Sequence, residues 1–248
     1  MIELKNISKA FNDHDVISNF TFHIEGQKFY TIVGPNGCGK TTLLNIIAGT
    51  MDKDSGYISE LKKDLRIGYV WQNYRASLFP WLSITENISF PLKIQGLSSS
   101  ERKEAVQKLI KRFDIEINLK KKIYNLSGGQ QQLINILRAL IIDPHLILLD
   151  EPFSALDQYK SWHLGFELEK MWLEQKSSVF FVSHNVDEAV LLADEIILMN
   201  KQGRIEKTIK NLMPRNRTKE MMTAQEYLRC KSEIVEFLFE QNKKILLL

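Results

Sequence analysis

The stretch Gly34-Pro35-Asn36-Gly37-Cys38-Gly39-Lys40-Thr41 has the glycine spacing that lets backbone N–H groups close around phosphate oxygens. A lysine and a threonine follow at once. Lys40 is placed to reach β- and γ-phosphates and the Thr41 hydroxyl to ligate Mg²⁺, and a helix starting here points its positive end at the same anion. Thr42 belongs to the same binding segment. A turn that only joined a strand to a helix would not need Lys-Thr after its glycines. The ligand this chemistry suits is MgATP, with ATP held by the loop and Mg²⁺ by hydroxyl and carboxylate oxygens.

A carboxylate pair supplies the second half. His145-Leu146-Ile147-Leu148-Leu149-Asp150-Glu151 reads as a buried strand that delivers Asp150 to its C-terminal end, where it can hold the Mg²⁺ shell. Two acids after four aliphatics are costly to bury unless a cation or a reacting water compensates them. Glu151 is the candidate general base for attack of water on the γ-phosphate. A third segment, Leu126-Ser127-Gly128-Gly129-Gln130, opens a helix with a capping box from Ser127 to Gln130. Two glycines weaken a helix's first turn, by up to about 1 kcal/mol each. They suit close approach of an anion to the helix start. The chain already has its own phosphate cradle, so this second one is expected to serve another chain's nucleotide.

The elements that must position these groups can be read from periodicity. Residues 2–7 and 18–24 alternate apolar and polar, as half-buried antiparallel strands do. Phe29–Val33 is a continuous apolar run ending at Gly34, as a buried parallel strand does before a functional loop. Residues 66–71, 146–149, 179–182 and 196–199 are further runs of this kind. Helical spacing follows the glycine loop and recurs over residues 133–141. Between 80 and 142 the chain looks mostly helical, with Ser98 to Glu101 marking a helix start. The tail from Thr218 also reads as helix. Strands thus bracket a helical insertion.

Here the pattern resembles a family. Leu126 to Gln130 is similar to the signature sequence of ABC transporter ATPases, and the rest of that family's motifs occur in order over nearly the whole chain. The resemblance implies that Gln72 is the glutamine sensing Mg²⁺ and water, that Ser154-Ala155-Leu156-Asp157 passes between subunits, and that His184 contacts the γ-phosphate. It also implies that Phe11 stacks on adenine. Two positions depart from the family: Asn185 stands where an aspartate is common, and Leu133 where an arginine is usual. Gln72 to Trp81, with Phe79-Pro80-Trp81 after the glutamine, looks like the ATPases of nitrate, sulfonate and taurine importers. Met213-Pro214-Arg215-Asn216-Arg217 resembles that group too, with Asn216 in place of a usual proline.

Composition bounds the alternatives. The chain has 248 residues, 44% hydrophobic and 25% charged, with a net charge of +3. That balance does not suggest nucleic-acid binding. The densest basic runs, 120–122 and 201–217, read as solvated surface. Cys38 and Cys230 are too few for a disulfide scaffold, and Cys38 is expected to serve as a small residue. Arg138 is expected to cap polar contacts on its own helix. The N-terminus lacks a secretion signal, and no apolar run approaches the length that spans a bilayer.

The expected fold is α/β: a P-loop NTPase core of the ABC ATPase kind, with an N-terminal antiparallel β subdomain and an inserted helical subdomain at about 80–142. The ATPase domain is expected to run over 1–217, and 218–248 to form a helical tail too short for a regulatory domain. The resemblance implies a head-to-tail pair of ATPase chains, membrane-spanning permease subunits, and a solute-binding protein that delivers the substrate. The chain would then sit on the cytoplasmic face of the membrane through its permease. Exporter or lipid-handling ATPases, and non-transport ABC ATPases, are the rival readings. The last usually join two units or carry long coiled coils.

Overall fold

The computed structural model describes residues 2–12, 14–60, 64–119, 121–154 and 156–246. Met1, Lys120, Ala155, Leu247 and Leu248, which enter the sequence reading above, lie outside the described residues. Strands β1 (Ile2–Phe11) and β2 (His14–Ile24) pair antiparallel with Ile2 opposite Ile24 and Leu4 opposite Phe22. Ile2, Leu4 and Ile7 of β1 and Ile17, Phe20 and Ile24 of β2 are buried, and register shifts after Leu4, Ile7 and Lys9 interrupt the alternation. Next come β3 (Phe29–Val33), α1 (Lys40–Ile47) and β4 (Ser55–Glu60), which adds to the free edge of β1. The three-stranded antiparallel sheet has the order β2-β1-β4.

Strand β5 (Ile67–Val70) leads into the short helix α2 (Tyr74–Ser77) and then α3 (Ile84–Ile94), α4 (Ser99–Arg112) and α5 (Gly128–Leu140). Ser83, Ser98 and Ser127 each open their helix with a complete capping box, to Glu86, Glu101 and Gln130, satisfying two otherwise orphaned N–H groups at each start. The chain continues through β6 (Leu146–Asp150), α6 (Gln158–Gln175), β7 (Ser178–Val182), α7 (Val186–Leu192), β8 (Glu195–Met199), β9 (Ile205–Lys210) and α8 (Gln225–Leu246). The second sheet runs β5-β6-β7-β3-β8-β9, with only β9 antiparallel to its neighbour. Every residue of β3, β6 and β7 is buried, as a parallel sheet covered on both faces requires. This is the expected α/β architecture: a P-loop core, an antiparallel sheet and a helical layer. No described helix is long and apolar enough to cross a membrane.

The basic run 201–217 is solvated surface at Arg204, Lys207 and Lys210, as its composition suggests, but not at its end. Arg217 is 3% exposed. Its guanidinium donates to the carbonyls of Val190, Leu191 and Ala193 at the end of α7, and to Met213 and Pro214. Arg215 pairs with the buried Glu169, and with Asp194, and lies over the Trp172 ring. A helix end leaves carbonyls without partners, and a planar fork of five donors can satisfy several of them together. Those partners are far away in sequence, so a local run of basic residues gives no sign of them. Between the two arginines Asn216 has φ 59°. Proline's ring holds φ near −65°, so the proline usual in the resembled group cannot adopt this backbone. Helix α8 shares a core with α7 and β8 through Tyr227, Cys230, Ile234 and Phe237.

Removing the guanidinium would strand these carbonyls in the interior. Arg217→Ala is expected to lose about 3 kcal/mol or more, read as a lower urea midpoint. Arg217→Lys, with three donors on one point, should recover only part. A midpoint unchanged in Arg217→Ala would show that water can take the guanidinium's place.

Candidate active site

Strand β3 ends in a loop whose glycines have separate physical reasons. A side-chain carbon at Gly34 would lie 2.3 Å from the Met199 carbonyl at the end of β8, so the chains approach too closely for any other residue. Gly39 has φ 98°, and its added carbon would meet the Val16 carbonyl at 2.7 Å. Gly39 also stands at the N-cap of α1 without a side-chain cap, and the first turn of α1 has no acid. The N–H groups there are left for an anion. Pro35 is half-buried, Asn36 and Gly37 are exposed, and Thr42 is half-buried behind Thr41. The Lys40 ammonium is folded into the loop, donating to the carbonyls of Gly34 (2.9 Å) and Pro35 (3.0 Å). Cys38 is buried, and burial pushes its thiol pKa up against the pull of Lys40. That suits the small-residue reading.

Asp150 leaves β6 beside this loop and accepts from Thr41 Oγ1 at 3.1 Å. It is 2% exposed. Burial pushes its pKa up to about 6, and the neighbouring Glu151 adds to the rise despite the Thr41 bond and the Lys40 charge. A carboxylate this starved of water is primed for a cation. Mg²⁺ takes one or two protein oxygens and completes its shell with water and phosphate. Asp150 and Thr41 fit that habit. Among the described residues no group of three or more His, Cys, Asp or Glu could cage a metal by itself, so phosphate oxygens would be needed as co-ligands.

The three residues expected at the hydrolytic centre converge on one atom. Glu151 Oε2 accepts from Gln72 Nε2 at 3.0 Å and lies 3.1 Å from His184 Nδ1. Glu151 has φ 44°, a conformation few non-glycine residues adopt and one that persists only where surroundings over-determine it. Here its N–H is held by the Val182 carbonyl across the sheet at 3.0 Å. A cleft of about 440 Å³ opens beside these groups, lined by Thr41, Trp71, Gln72, Asn73, Ser77 and Asp150 among others. Phe11 is exposed at the end of β1, with the Lys9 ammonium 5.4 Å from its ring centre. It is not packed away between the N-terminal strands.

Ser127 and Gln130 are exposed at the start of α5, and Gly128 and Gly129 are half-buried. A side-chain carbon at Gly129 would meet only Leu156, at an ordinary 3.8 Å. Nothing among the described residues requires that glycine, although alanine would favour the helix by up to about 1 kcal/mol. Asp157 is exposed and caps α6, its carboxylate accepting from the Lys160 N–H and pairing with the Lys160 ammonium.

Several supporting residues carry no strong sequence signal. Tyr69 and Trp71 stack at 4.0 Å just before Gln72, and Tyr69 donates to Asn45 on α1. Their i, i+2 spacing on a strand is the signal that places them on one face. Arg138 does more than serve its own helix: besides Asn135 it grips the Ser77 carbonyl at 2.5 Å. Asn185 caps α7 through its side-chain oxygen, accepting from the N–H groups of Asp187 and Glu188, as an aspartate there would.

Fold and site together define a P-loop nucleotide hydrolase with an added antiparallel sheet and a helical layer. Residues 17–154 match the family model described as ABC transporter. An aliphatic sulfonates import ATP-binding protein of Bacillus cereus is 36% identical over 235 residues, 91% of this chain and 92% of that protein. A spermidine/putrescine import ATP-binding protein of Fusobacterium nucleatum is 39% identical over 207 residues, 80% of this chain and 54% of that longer protein. Among solved structures, the dimeric post-hydrolysis state of an ATP-binding cassette with ADP and Pi superposes with TM-score 0.72 and 30% identity, covering 85% of this chain and 98% of that one. The chain belongs to the ABC transporter family. It is an ATP-binding, ATP-hydrolysing transport ATPase.

The raised pKa of Asp150 has a consequence for stability. Below about pH 4 the group is protonated whether the chain is folded or not, and burial costs nothing extra. From about pH 4 to pH 6 the unfolded chain ionises this group freely while the folded one must bury the charge, a penalty that reaches up to about 3 kcal/mol above pH 6. Asp150→Asn is therefore expected to raise the melting temperature at pH 8 in buffer without nucleotide or divalent cation. The gain should vanish toward pH 4. A variant that melts below wild type at pH 8 would refute the desolvated-carboxylate account.

Proposed function

We propose that this chain powers solute import through separate permease subunits, working as a head-to-tail dimer that closes on two MgATP. The observation that carries the shared site is Gly129, a glycine at a helix start that no contact among the described residues requires. In this reading each nucleotide lies between the Gly34 to Thr41 loop of one chain and Ser127-Gly128-Gly129 of the other, with Phe11 against adenine and Asp157 near the join. Lys40 turns from the carbonyls of its loop to the β- and γ-phosphates. Thr41 and Asp150 would hold Mg²⁺, with Gln72 at its water shell, and the ion would supply neutralisation of the phosphate charge. Glu151 accepts the proton of the attacking water. His184, hydrogen-bonded to the same carboxylate, orients it and reaches the γ-phosphate.

The subgroup reading rests on residues 72–81. Trp81 is 70% exposed, which removes the alternative that it fills its own subunit's core. The loop that presents it is stiff. Asn87, buried in α3, accepts from the Phe79 N–H and donates to the Phe79 and Ser83 carbonyls, while Phe79 packs on Phe90 at 4.5 Å. Lys122 holds the Trp81 carbonyl. Exposed aromatics on a rigid support are typical interface anchors, and a permease at the cytoplasmic face of the membrane is the partner proposed here. The relatives named for sulfonates and for spermidine/putrescine differ in substrate at similar identity. We favour the nitrate, sulfonate and taurine type, with a solute-binding protein delivering the substrate, on the strength of Pro80-Trp81.

Mixing inactive chains tests the dimer. Ser127→Arg and Lys40→Ala should each abolish turnover alone. Mixed, a head-to-tail pair puts both lesions in one composite site and neither in the other, so activity should return in part. No recovery at any mixing ratio, with both variants folded, would overturn the shared site. Trp81→Ala tests the docking surface. The melting temperature of the purified subunit should stay near wild type, while co-purification with the permease and transport fall. Intact assembly and transport would remove Trp81 from the interface.

A further inference from the structure

A buried network behind the hydrolytic centre links two elements that the proposed mechanism treats separately. Glu188, in the first turn of α7, is 9% exposed. One of its oxygens accepts from Ser161 Oγ at 2.5 Å, and the other from Ser183 Oγ at 2.6 Å. Ser161 lies one turn into α6 and is 3% exposed; Ser183 directly follows β7 and is 1% exposed. Ser183 directly precedes His184, and its Oγ also accepts from the Asn185 N–H at 3.0 Å, so the backbone on both sides of the histidine is tied to this carboxylate. Ser161 lies four residues past Asp157, at the end of the segment that runs from Glu151 to the α6 cap. The ring closes at the surface, where His184 Nδ1 meets Glu151 Oε2.

The arrangement is expensive. A carboxyl group buried with two neutral hydroxyls for partners has no hydrogen-bonded cation among the described residues to offset its desolvation, and burial pushes its pKa up. An aliphatic side chain would pack there at no such cost. What the carboxyl group offers instead is two acceptors aimed in different directions, one at α6 and one at the residue before His184.

We propose that Glu188 is a positioning residue that makes the seat of His184 against Glu151 depend on the seat of α6. Resting on the proposed function, this gives the second chain a route into the hydrolytic centre. Contact at the exposed start of α6, where Asp157 and Tyr159 lie, shifts Ser161, and through Glu188 and Ser183 the shift reaches His184. The link is a two-ended hydrogen-bond bridge. It involves no bond making and no proton transfer to the nucleotide.

A double-mutant cycle tests this with the full chain. Ser161→Ala removes only the α6 end of the bridge. It should lower kcat by about ten- to a hundredfold, the scale of a misplaced catalytic group, while ATP affinity stays near wild type and the melting temperature falls by only a few degrees. In a His184→Ala background the same change should add nothing. Glu188→Gln keeps the shape and one acceptor, and the serine hydroxyls can turn to meet an amide, so its turnover should stay within about threefold of wild type. An equal fold-loss from Ser161→Ala in both backgrounds, or wild-type turnover in Ser161→Ala, would overturn the proposal. So would a loss in Glu188→Gln as large as in Glu188→Leu. Wild-type turnover in His184→Ala alone would instead remove His184 from the site, and with it the reading on which the bridge rests.

Discussion

The register of three parallel strands sets everything else. Strand β7 sits between β6 and β3, with Val182 opposite both Asp150 and Ile32. Residues 34, 151 and 183 therefore leave the sheet along one edge, although they come from distant parts of the chain. All three strands are five residues of continuous burial. Side chains alternate faces along a strand, so a slip of one residue would send Asp150 to the opposite face. The hydrophobic core thus fixes which strand ends carry the phosphate loop, the carboxylate pair and the residue before the histidine. No polar contact among them has to supply that placement.

Two buried charge clusters in the same molecule show how differently such groups can be treated. Glu169, Asp194, Arg215 and Arg217 are matched: opposite charges meet, and the guanidiniums also satisfy the end of α7. That cluster is structural. Around Asp150 the balance is left incomplete. Lys40 is turned to the carbonyls of Gly34 and Pro35, so its charge falls partly on the loop, and Asp150 keeps a raised pKa. Glu151 holds a positive φ beside it. The departures from the most stable arrangement gather at the strand ends, where α/β folds place ligands. A ligand bringing phosphate to Lys40 and a divalent cation to Asp150 would relieve both.

How legible each part was in the sequence follows from where its partners lie. Strands β3, β6, β7 and β8 could be read because each is a short apolar run bounded by polar residues. Ser55–Glu60 and Ile205–Lys210 have no such run: both are edge strands whose described side chains are mostly exposed or half-buried. The phosphate loop and Asp150-Glu151 were legible because their chemistry is written in adjacent residues. Ser127 announced itself through a capping box and two glycines too many. Asn87, Glu188 and the Arg215 to Arg217 strap gave no such sign. Each is a polar residue whose partners lie on other elements, and composition reads such residues as surface. The meeting of Gln72 and His184 on a single oxygen of Glu151 was likewise beyond any spacing rule, since it depends on the sheet register.

The path from the nucleotide cleft to the helical layer is uneven in stiffness. At its inner end Gln72 is exposed and held through its hydrogen bond to Glu151. Five residues on, the Ser77 carbonyl is gripped by Arg138, and beyond it both backbone groups of Phe79 are gripped by the buried Asn87. Arg138 lies on α5 and Asn87 on α3, so the outer end is fastened to the helical layer and not to the sheet. The start of α5 also carries Ser127 and Gly129. A displacement of the helical layer would therefore carry Trp81 and the second phosphate-type helix start together as one body. Gln72 would be the yielding point between that body and Glu151. A single hydrogen bond is worth about 1 kcal/mol net, little enough that ordinary binding energies could break and remake it within each cycle. The outer end is thus fastened to the helical layer by several contacts, while the inner end rests on the bond from Gln72 to Glu151.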